Sequence, residues 1–120
     1  MKENHILGKK GEELAKNYLE KNGFNILEEN WRYLKAEIDI IAQKAGFIVF
    51  VEVKSRSTID FGNPESFVSN KQQKLIINAA HEYISRNDID FEARFDIISI
   101  IISGDKNKIE HIEDAFSPTL

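Results

Sequence analysis

The stretch Phe47–Arg56, FIVFVEVKSR, decides the fold, because it is an apolar run that ends in three charged side chains, Glu52, Lys54 and Arg56. Side chains alternate between the two faces of a strand, so Phe50, Glu52 and Lys54 share one face. That face changes from apolar to ionic partway along a strand that otherwise suits a buried position. A buried carboxylate is costly unless it is paired or binds a metal, so the stretch predicts a functional site.

A second acidic stretch, AEIDIIA at residues 36–42, lies just before it. A tight turn at Ala45 and Gly46 would join the two strands as an antiparallel hairpin. With two loop residues and no bulge, that hairpin places Asp39 opposite Glu52 on one face of the sheet, and Glu37 opposite Lys54. Alternation within the second stretch predicts one face with Ile38, Ile40 and Ala42 and another with Glu37, Asp39 and Ile41.

The remaining sequence predicts two helices and further strands. Apolar residues at helical spacing indicate a helix over about residues 5–22 and a second from residue 69 or 70 to about 86. Ser69 and Gln72 form a capping box at the start of the second helix. The buried face of that helix is predicted to contain Ile76, Ala79, Ala80 and Tyr83. The other predicted elements are strands at 24–30 and 94–103, a short edge strand at 109–116, and a loop over 57–68.

Composition is that of an ordinary globular protein. The 120 residues fit one domain, 1–120, and the absence of cysteine excludes disulfides and thiolate metal sites. No apolar run reaches membrane-spanning length and the start, MKENHILGKK, lacks the apolar region of a signal peptide, so we expect a cytoplasmic protein without membrane contact. The net charge of −4 argues against a general nucleic-acid binder. It does not exclude a nuclease, because carboxylates that hold a divalent cation are neutralised when the metal binds.

Asp39, Glu52 and Lys54 form the strongest chemical pattern in the chain. Mg²⁺ takes oxygen ligands and usually only one or two carboxylates, with phosphates and waters completing its shell. Asp39 and Glu52 meet that need, and Lys54 projects from the same face as Glu52, about 6.6 Å along the strand. Its ammonium could position a water or stabilise charge on a phosphoryl group. The alternative is a cross-strand ion cluster, with Glu37 included, that is simply solvated on an open sheet face.

With these motifs in place, the chain resembles the PD-(D/E)xK nuclease superfamily, and within it the Holliday-junction-resolvase-like branch. The matching pattern is a helix with Glu12, then EID at 37–39, then EVK at 52–54, in the element order αβββαβ. More specifically, the sequence is similar to the YraN-type family of uncharacterised bacterial proteins. The motifs that carry this similarity, over about residues 8–102, are GEELA (11–15), NWR (30–32), EIDIIA (37–42), FVEVKSR (50–56), FGNPE (61–65), KQ (71–72) and RFDII (94–98).

The resemblance implies an α/β fold of the restriction-endonuclease-like type, with a mixed central sheet flanked by helices. It also implies a resolvase-like endonuclease that hydrolyses DNA phosphodiester bonds with Mg²⁺ or Mn²⁺ as cofactor. Asp39 and Glu52 would be metal ligands, the Val53 carbonyl would be a possible third, and Lys54 would assist the attacking water. Glu12 would approach the same site from the first helix.

Glu12 has a simpler reading when the resemblance is set aside. An acid at this place on a helix is more often a surface residue paired with Lys9 or Lys16 at helical spacing. Gly8 and Gly11 precede it, and glycine there permits the close approach of another backbone.

Four residues are candidates for contact with nucleic acid. Arg32 lies in a short aromatic and basic segment with Trp31, which either stacks on bases or, more simply, packs beside the sheet. Arg56 shares the parity of Lys54 and would hold a backbone phosphate or form a salt bridge at the rim. Lys71 and Gln72 lie near a helix start, where backbone N–H groups favour phosphate, with capping and solvation as the alternative.

Two other functions stay open beside the endonuclease. One is a nucleic-acid-binding accessory protein without efficient catalysis, and the other is an interaction domain with a solvated acidic cluster. A homodimer, or a protein partner that supplies basic surface, is expected for a small acidic chain. None of the three histidines is assigned to chemistry, and Asp96 is interpreted as an ion-pair partner of Arg94.

Overall fold

The structure is a computed structural model that describes residues 2–57 and 68–118, with side chains from residue 6 onward. The predicted loop at 57–68, with its FGNPE motif, lies almost entirely outside the described residues. The elements in chain order are α1 (Lys2–Lys21), β1 (Asn25–Tyr33), β2 (Ala36–Lys44), β3 (Phe47–Arg56), α2 (Asn70–Arg86), β4 (Glu92–Ser103) and β5 (Lys106–Phe116).

The five strands form one sheet in the order β1-β2-β3-β4-β5. The only parallel pair of neighbours in this described sheet is β3 and β4, and the other neighbours run antiparallel. A parallel pair requires a long crossover connection, and α2 lies within that connection. The predicted mixed α/β sheet with helices is therefore confirmed. No helix in the described part of the chain is long and apolar enough to cross a membrane.

Each face of the sheet packs against its own helix. The face toward α1 buries a cluster that includes Ala15 and Leu19 from the helix, and the face toward α2 buries a cluster that includes Ile76 and Tyr83. The central strand β3 serves both clusters, as its alternation predicts: Ile48 and Phe50 pack toward α2, whereas Val49, Val51 and Val53 pack toward α1.

Helix α2 begins and packs as predicted. Ser69 is its N-cap, and the Ser69 side chain accepts a hydrogen bond from the backbone N–H of Gln72. The four predicted core positions are the buried residues of this helix, Ile76, Ala79, Ala80 and Tyr83. The return bond of a full capping box is replaced, because the Gln72 side chain donates to Glu52 instead.

The predicted faces of β2 are wrong at one point. Ile38 packs with Ile41 in the cluster toward α2, whereas Ile40 and Ala42 pack toward α1, so alternation breaks around Asp39. Pairing with β1 continues on both sides of the break, at Trp31↔Ile38 and Glu29↔Ile40. Between them, Asn30 has a φ of 51°, a left-handed conformation that turns the strand locally. The two strands therefore break their alternation together, and Asp39 lies at that place.

Two strand boundaries also differ from prediction. β1 continues through Tyr33, because Trp31 and Tyr33 both pair with β2 and pack against the cluster toward α2. β5 is 11 residues long and begins at Lys106, so it is a full edge strand rather than a short one. In both places pairing with a neighbouring strand extends the element beyond its apolar residues.

Helix α1 approaches the sheet closely at Gly11. A Cβ atom at this position would lie 1.6 Å from Ser55 Oγ, so only glycine fits against β3 here. The predicted close approach is thus confirmed for Gly11, whereas nothing lies within 4 Å of the corresponding position at Gly8. The contact carries the next residue, Glu12, to the end of the sheet where the acids of β2 and β3 lie.

Candidate metal and nucleic-acid site

The hairpin between β2 and β3 has the predicted two-residue turn. Ala45 and Gly46 both have positive φ, 52° and 85°, as a tight hairpin of this kind requires. The observed pairing runs from Lys44↔Phe47 to Ile40↔Val51, which is the predicted register. The ladder stops one step before Asp39 and Glu52, so neither this predicted pair nor the pair of Glu37 with Lys54 belongs to it.

Asp39 takes the place of a backbone partner where the ladder stops. Its Oδ2 atom accepts a hydrogen bond of 2.8 Å from the backbone N–H of Val53. The break in alternation around Asp39 therefore turns its carboxylate toward β3. This side chain satisfies a donor that regular pairing would otherwise have satisfied, and the carboxylate is held beside Glu52.

Glu52 is buried, with 6% of its surface exposed. Gln72 Nε2 donates a hydrogen bond to Glu52 Oε2, which ties the start of α2 to the site. Lys54 Nζ lies 3.8 Å from the same oxygen, on the same face as predicted. The Gln72 amide thus orients the Glu52 carboxylate, and the Lys54 ammonium lies at the limit of ion-pair distance from it.

The two acids share a single environment that disfavours two negative charges. Burial, a hydrogen bond to Glu52 and the charge of Glu52 raise the pKa of Asp39 from 3.8 to about 9, although the N–H of Val53 acts in the opposite direction. Two adjacent carboxylates in a desolvated place retain a proton or need a cation. A divalent cation between them would replace that proton.

Glu12 reaches this place from α1. Asn30 Nδ2 donates a hydrogen bond of 3.0 Å to Glu12 Oε1, so the break in β1 also holds this acid. Burial raises the pKa of Glu12, with the bond from Asn30 opposing and the charges of Asp39 and Glu37 contributing. The alternative pairing with Lys16 is not observed, since Lys16 Nζ lies 3.1 Å from Glu29.

Glu12, Asp39, Glu52, Lys54 and Gln72 line one cleft of about 340 Å³, here called the acid cleft. The structure therefore brings together the four predicted catalytic residues, the three predicted metal ligands and one of the four predicted nucleic-acid residues. The lining consists of Glu12, Lys35, Ala36, Glu37, Asp39, Glu52, Val53, Lys54, Gln72, Leu75 and Ile76.

The other three predicted nucleic-acid residues do not line the acid cleft. Arg32 Nε bonds to Glu37 at 3.0 Å and is largely exposed, so it touches the rim only through Glu37. Lys71 is exposed in the first turn of α2, and Arg56 is half-buried at the end of β3. Their contacts with nucleic acid remain predictions.

Sequence reasoning missed the role of Asn30 at the site, and it considered Lys35 only as part of the short aromatic and basic segment that also holds Trp31 and Tyr33. Asn30 is the first residue of the NWR motif. Its role in holding Glu12 depends on its left-handed backbone conformation, which the sequence does not specify. Lys35 follows β1 in the turn before β2 and lines the acid cleft. Its position in that segment was the only available signal.

The donor set suits a hard cation such as Mg²⁺ or Mn²⁺, because the groups that converge are carboxylate oxygens. Within residues 2–57 and 68–118, no three His, Cys, Asp or Glu side chains form a metal centre by themselves. The pair Asp39 and Glu52 would thus leave most coordination positions to waters and phosphate oxygens. Mg²⁺ is usually bound in this way at phosphoryl-transfer sites.

The fold and the cleft define a mixed α/β protein with a paired-carboxylate site at a break in its sheet. A profile of the uncharacterised protein family UPF0102 matches residues 11–100, and the chain belongs to this family. The predicted membership in a family of uncharacterised bacterial proteins is thereby confirmed.

Relatives match the chain over nearly its whole length. A UPF0102 protein of Flavobacterium psychrophilum is 53% identical over 116 residues, covering 97% of this chain and 98% of the relative. A UPF0102 protein of Geobacter metallireducens is 46% identical, covering 94% and 93%. A UPF0102 protein of Bacteroides fragilis is 42% identical over 120 residues, covering 100% and 99%.

Proposed function

We propose that this protein is a metal-dependent endonuclease that hydrolyses DNA phosphodiester bonds, of the restriction-endonuclease-like, PD-(D/E)xK type. The observation that carries the proposal is the pair Asp39 and Glu52, two adjacent, largely buried carboxylates whose charges lack a matching pair of cations among the described residues. A structural role would favour neutral or fully paired groups in such a place. A divalent cation resolves the conflict and brings phosphoryl chemistry with it.

The residues of the acid cleft divide the work. A bound Mg²⁺ or Mn²⁺ would be held by Asp39, Glu52 and the Val53 carbonyl, and it supplies Lewis-acid stabilisation and a water of lowered pKa. Lys54 orients the attacking water and stabilises charge on the phosphoryl oxygens with its ammonium. Gln72 fixes the Glu52 carboxylate by its hydrogen bond, as the outer partners of metal ligands do.

Glu12 forms the part of the wall of the acid cleft that α1 supplies. Its bond to Asn30 and its raised pKa suit a group that holds or exchanges a proton in the acid cleft. The position of Glu12 depends on the contact of Gly11 with Ser55. The wall is therefore built by packing rather than by a mobile surface side chain.

The element order supports the restriction-endonuclease-like assignment. The first six elements run α1, β1, β2, β3, α2 and β4, the αβββαβ order expected for that fold, with β5 added at the edge. The acids lie on β2 and β3, as the resemblance implies. A solvated acidic cluster is less compatible with the structure, because Glu52 is only 6% exposed.

DNA is the proposed substrate, and it requires a positively charged protein surface. This acidic chain provides little of that surface. A second copy of the chain, or a basic partner protein, would add the cationic surface that a net charge of −4 leaves short.

The first test is metal binding. Isothermal titration of the protein with Mn²⁺ in two buffers of different ionisation enthalpy should show one site with proton release, because the metal replaces a proton held by the acid pair. Asp39→Asn and Glu52→Gln should each abolish that site. Glu13→Gln is the matched control, since Glu13 is exposed on α1 beside Glu12.

The second test is cleavage of a panel of linear, flapped, single-stranded and four-way-junction DNA with Mg²⁺ or Mn²⁺. Wild type and Glu13→Gln should cut at least one substrate, and Glu52→Ala and Lys54→Ala should not. Equal activity in all four preparations would show a contaminating nuclease. Metal binding without cleavage of any substrate would favour a nucleic-acid-binding accessory protein, and absence of metal binding would contradict both.

A further inference from the structure

A second, apolar cavity adjoins the acid cleft. It has a volume of about 320 Å³ and is called here the aromatic cavity. Three of its lining residues, Lys35, Ala36 and Leu75, also line the acid cleft. A ligand with a phosphate in the acid cleft would therefore place its next chemical group in this cavity. The complete lining is Tyr33, Leu34, Lys35, Ala36, Leu75 and Asn78.

Leu34 occupies this cavity's rim at a cost to stability. Its surface is 79% exposed, so it gains little from burial. Its φ is 56°, a left-handed conformation that favours glycine or asparagine and disfavours a branched apolar side chain. Leu34 and Lys35 form a tight turn, since Tyr33 and Ala36 on either side of them pair directly. Neither packing nor turn chemistry explains a leucine here, whereas contact with an apolar ligand does.

Tyr33 presents an aromatic ring whose orientation is fixed by its neighbours. The ring stacks with Trp31 at 6.2 Å between centroids and 14° between planes. The Arg86 guanidinium lies 5.3 Å from the Tyr33 centroid, and Trp31 contacts Tyr83 edge-on at 5.1 Å. These contacts hold the ring, so the part of it that lines the aromatic cavity loses little entropy on binding a base.

The polar groups of the aromatic cavity match a nucleotide. The Asn78 amide offers both a donor and an acceptor, the combination that reads the edge of a base. Lys35 is the one charged residue among the lining side chains, and it stands at the boundary with the acid cleft. Tyr33 would contact the face of a base, Asn78 would bond to its edge, and Lys35 would contact its phosphate.

We propose that the aromatic cavity binds one unpaired base of the strand whose phosphate lies in the acid cleft. The inference rests on the proposed function, and it names the substrate class: single strands, flaps and branch points rather than uninterrupted duplex. A base in duplex must leave its stack and its partner before it can enter a pocket, whereas an unpaired base does not pay this cost. Stacking on an aromatic side chain tolerates every base, so the preference is for strand structure rather than sequence.

The test is binding of three labelled DNA ligands, measured by fluorescence anisotropy with Ca²⁺ in place of Mg²⁺, so that a cation neutralises the acid cleft, and with gel analysis to check that the strands stay intact. The ligands are a nine-nucleotide single strand, the same backbone with abasic nucleotides, and the strand paired in a duplex. We expect the base-bearing single strand to bind about tenfold more tightly than either, the size of one base stack. Quenching of the single tryptophan, Trp31, should accompany its binding, because Trp31 stacks with Tyr33.

Two variants separate this site from a folding effect. Tyr33→Ala and Leu34→Asn should each lower affinity for the base-bearing strand about tenfold and leave the abasic strand unchanged. Leu34→Asn should hold or raise the Tm, because asparagine tolerates the left-handed turn better than leucine. The controls are Phe91→Ala and Ile6→Asn, which alter an aromatic and an aliphatic residue that are exposed elsewhere, at 42% and 64%.

The outcomes distinguish this inference from the proposed function. Equal affinity for base-bearing and abasic strands, together with Glu52-dependent cleavage, would overturn the base site and leave the endonuclease intact. Base-dependent binding that fails in Tyr33→Ala, without cleavage by wild type, would support the base site and contradict catalysis. A dimer in sedimentation experiments that Leu34→Asn dissociates, without base dependence, would show that the cavity is an interface between copies and would overturn the inference.

Discussion

The sheet buries carboxylates in two regions and treats them in opposite ways. Asp96 on β4 is fully buried, and its carboxylate takes part in four hydrogen bonds. It accepts two bonds from Arg94, at 2.9 and 2.8 Å, one of 2.7 Å shared with His111, and one of 3.0 Å from the backbone N–H of Asp114. Burial alone would raise the pKa of Asp96, but the bonds from His111 and Arg94 outweigh it and hold the pKa below its usual value.

Asp39 and Glu52 lack such compensation from the residues that the structure describes. One backbone N–H, one amide and one ammonium at 3.8 Å face two carboxylates, and burial beside Glu52 raises the pKa of Asp39. A structural acid and a candidate catalytic acid thus differ in the group that neutralises their charge. A structural acid is neutralised by the protein itself, as the predicted pair of Asp96 with Arg94 shows, whereas a catalytic acid is left for a ligand to neutralise.

The largest expected effect is on cleavage. Glu52→Gln removes one of the two charges that hold the cation, so metal-dependent cleavage should fall by about 1,000-fold or more. Asp96→Asn, assayed at a temperature where it is folded, should retain cleavage within about threefold of wild type. Initial rates on the best substrate of the DNA panel, at saturating Mg²⁺, would measure both. If Asp96→Asn abolished cleavage and Glu52→Gln retained it, the structural role of Asp96 and the catalytic role of Glu52 would both be wrong.

The second effect is on stability and has the opposite order. Asp96→Asn removes the charge that compensates partly buried Arg94, which should cost about 3 kcal/mol of unfolding free energy, measured by urea denaturation. Asp39→Asn should keep or increase the stability of the metal-free protein, since the amide can accept from the Val53 N–H and donate to Glu52 without taking up a proton. If Asp39→Asn were the more damaging variant, the acid pair would have a structural role.

The third effect is the pH dependence of stability without metal. Asp39 is protonated in the folded state and ionised in the unfolded state between pH 4 and about 9, so unfolding releases a proton there. This contribution should lower stability as pH rises through that window, by at most about 1.4 kcal/mol per pH unit. Asp96 has the opposite sign, because its lowered pKa gives stability that is lost only as pH falls through the folded pKa.

Thermal unfolding between about pH 2 and pH 9 in EDTA would separate the two contributions. Asp39→Asn should flatten the fall toward high pH, and Asp96→Asn should remove the loss at the acidic end. Mg²⁺ should raise the Tm more at pH 8 than at pH 5, because less proton then competes with the metal. An Asp39→Asn profile that parallels wild type would contradict the shared-proton description of the pair.

The smallest effect concerns the partner of Glu52. Gln72→Ala removes the amide that orients the carboxylate and should weaken Mn²⁺ affinity about tenfold, as loss of an outer partner of a metal ligand does. Gln73→Ala is the control, since Gln73 is the next residue on α2 and donates instead to the Val68 carbonyl. Equal Mn²⁺ affinity in the two variants would show that the Gln72 side chain does not serve the site.

Local signals predicted much of the architecture. β3 has the predicted bounds, and α2 has the predicted N-cap and buried face, because burial periodicity and capping depend on neighbouring residues in sequence. The two-residue turn also fixed the register between β2 and β3. The acid cleft could therefore be assembled from the chain in outline.

Other parts of the molecule were beyond sequence reasoning. The faces of β2 were assigned wrongly because the break at Asp39 depends on a left-handed residue, Asn30, in a different strand. His111 was assigned no role, yet it bonds to Asp96 across 15 residues and to Tyr18 across 93. No local pattern records such distant partners.

The sequence by itself determined which residues carry chemistry, because FIVFVEVKSR places charge on a strand that its apolar residues must bury. The tertiary structure decided the state of those charges. Only the folded chain shows that the ladder stops before Glu52 and that Asp39 turns to the N–H of Val53. It also shows that, among the described residues, donors compensate Asp96 but not the acid pair. The reason is that charge follows from composition, whereas compensation depends on which distant groups packing brings within a few ångströms.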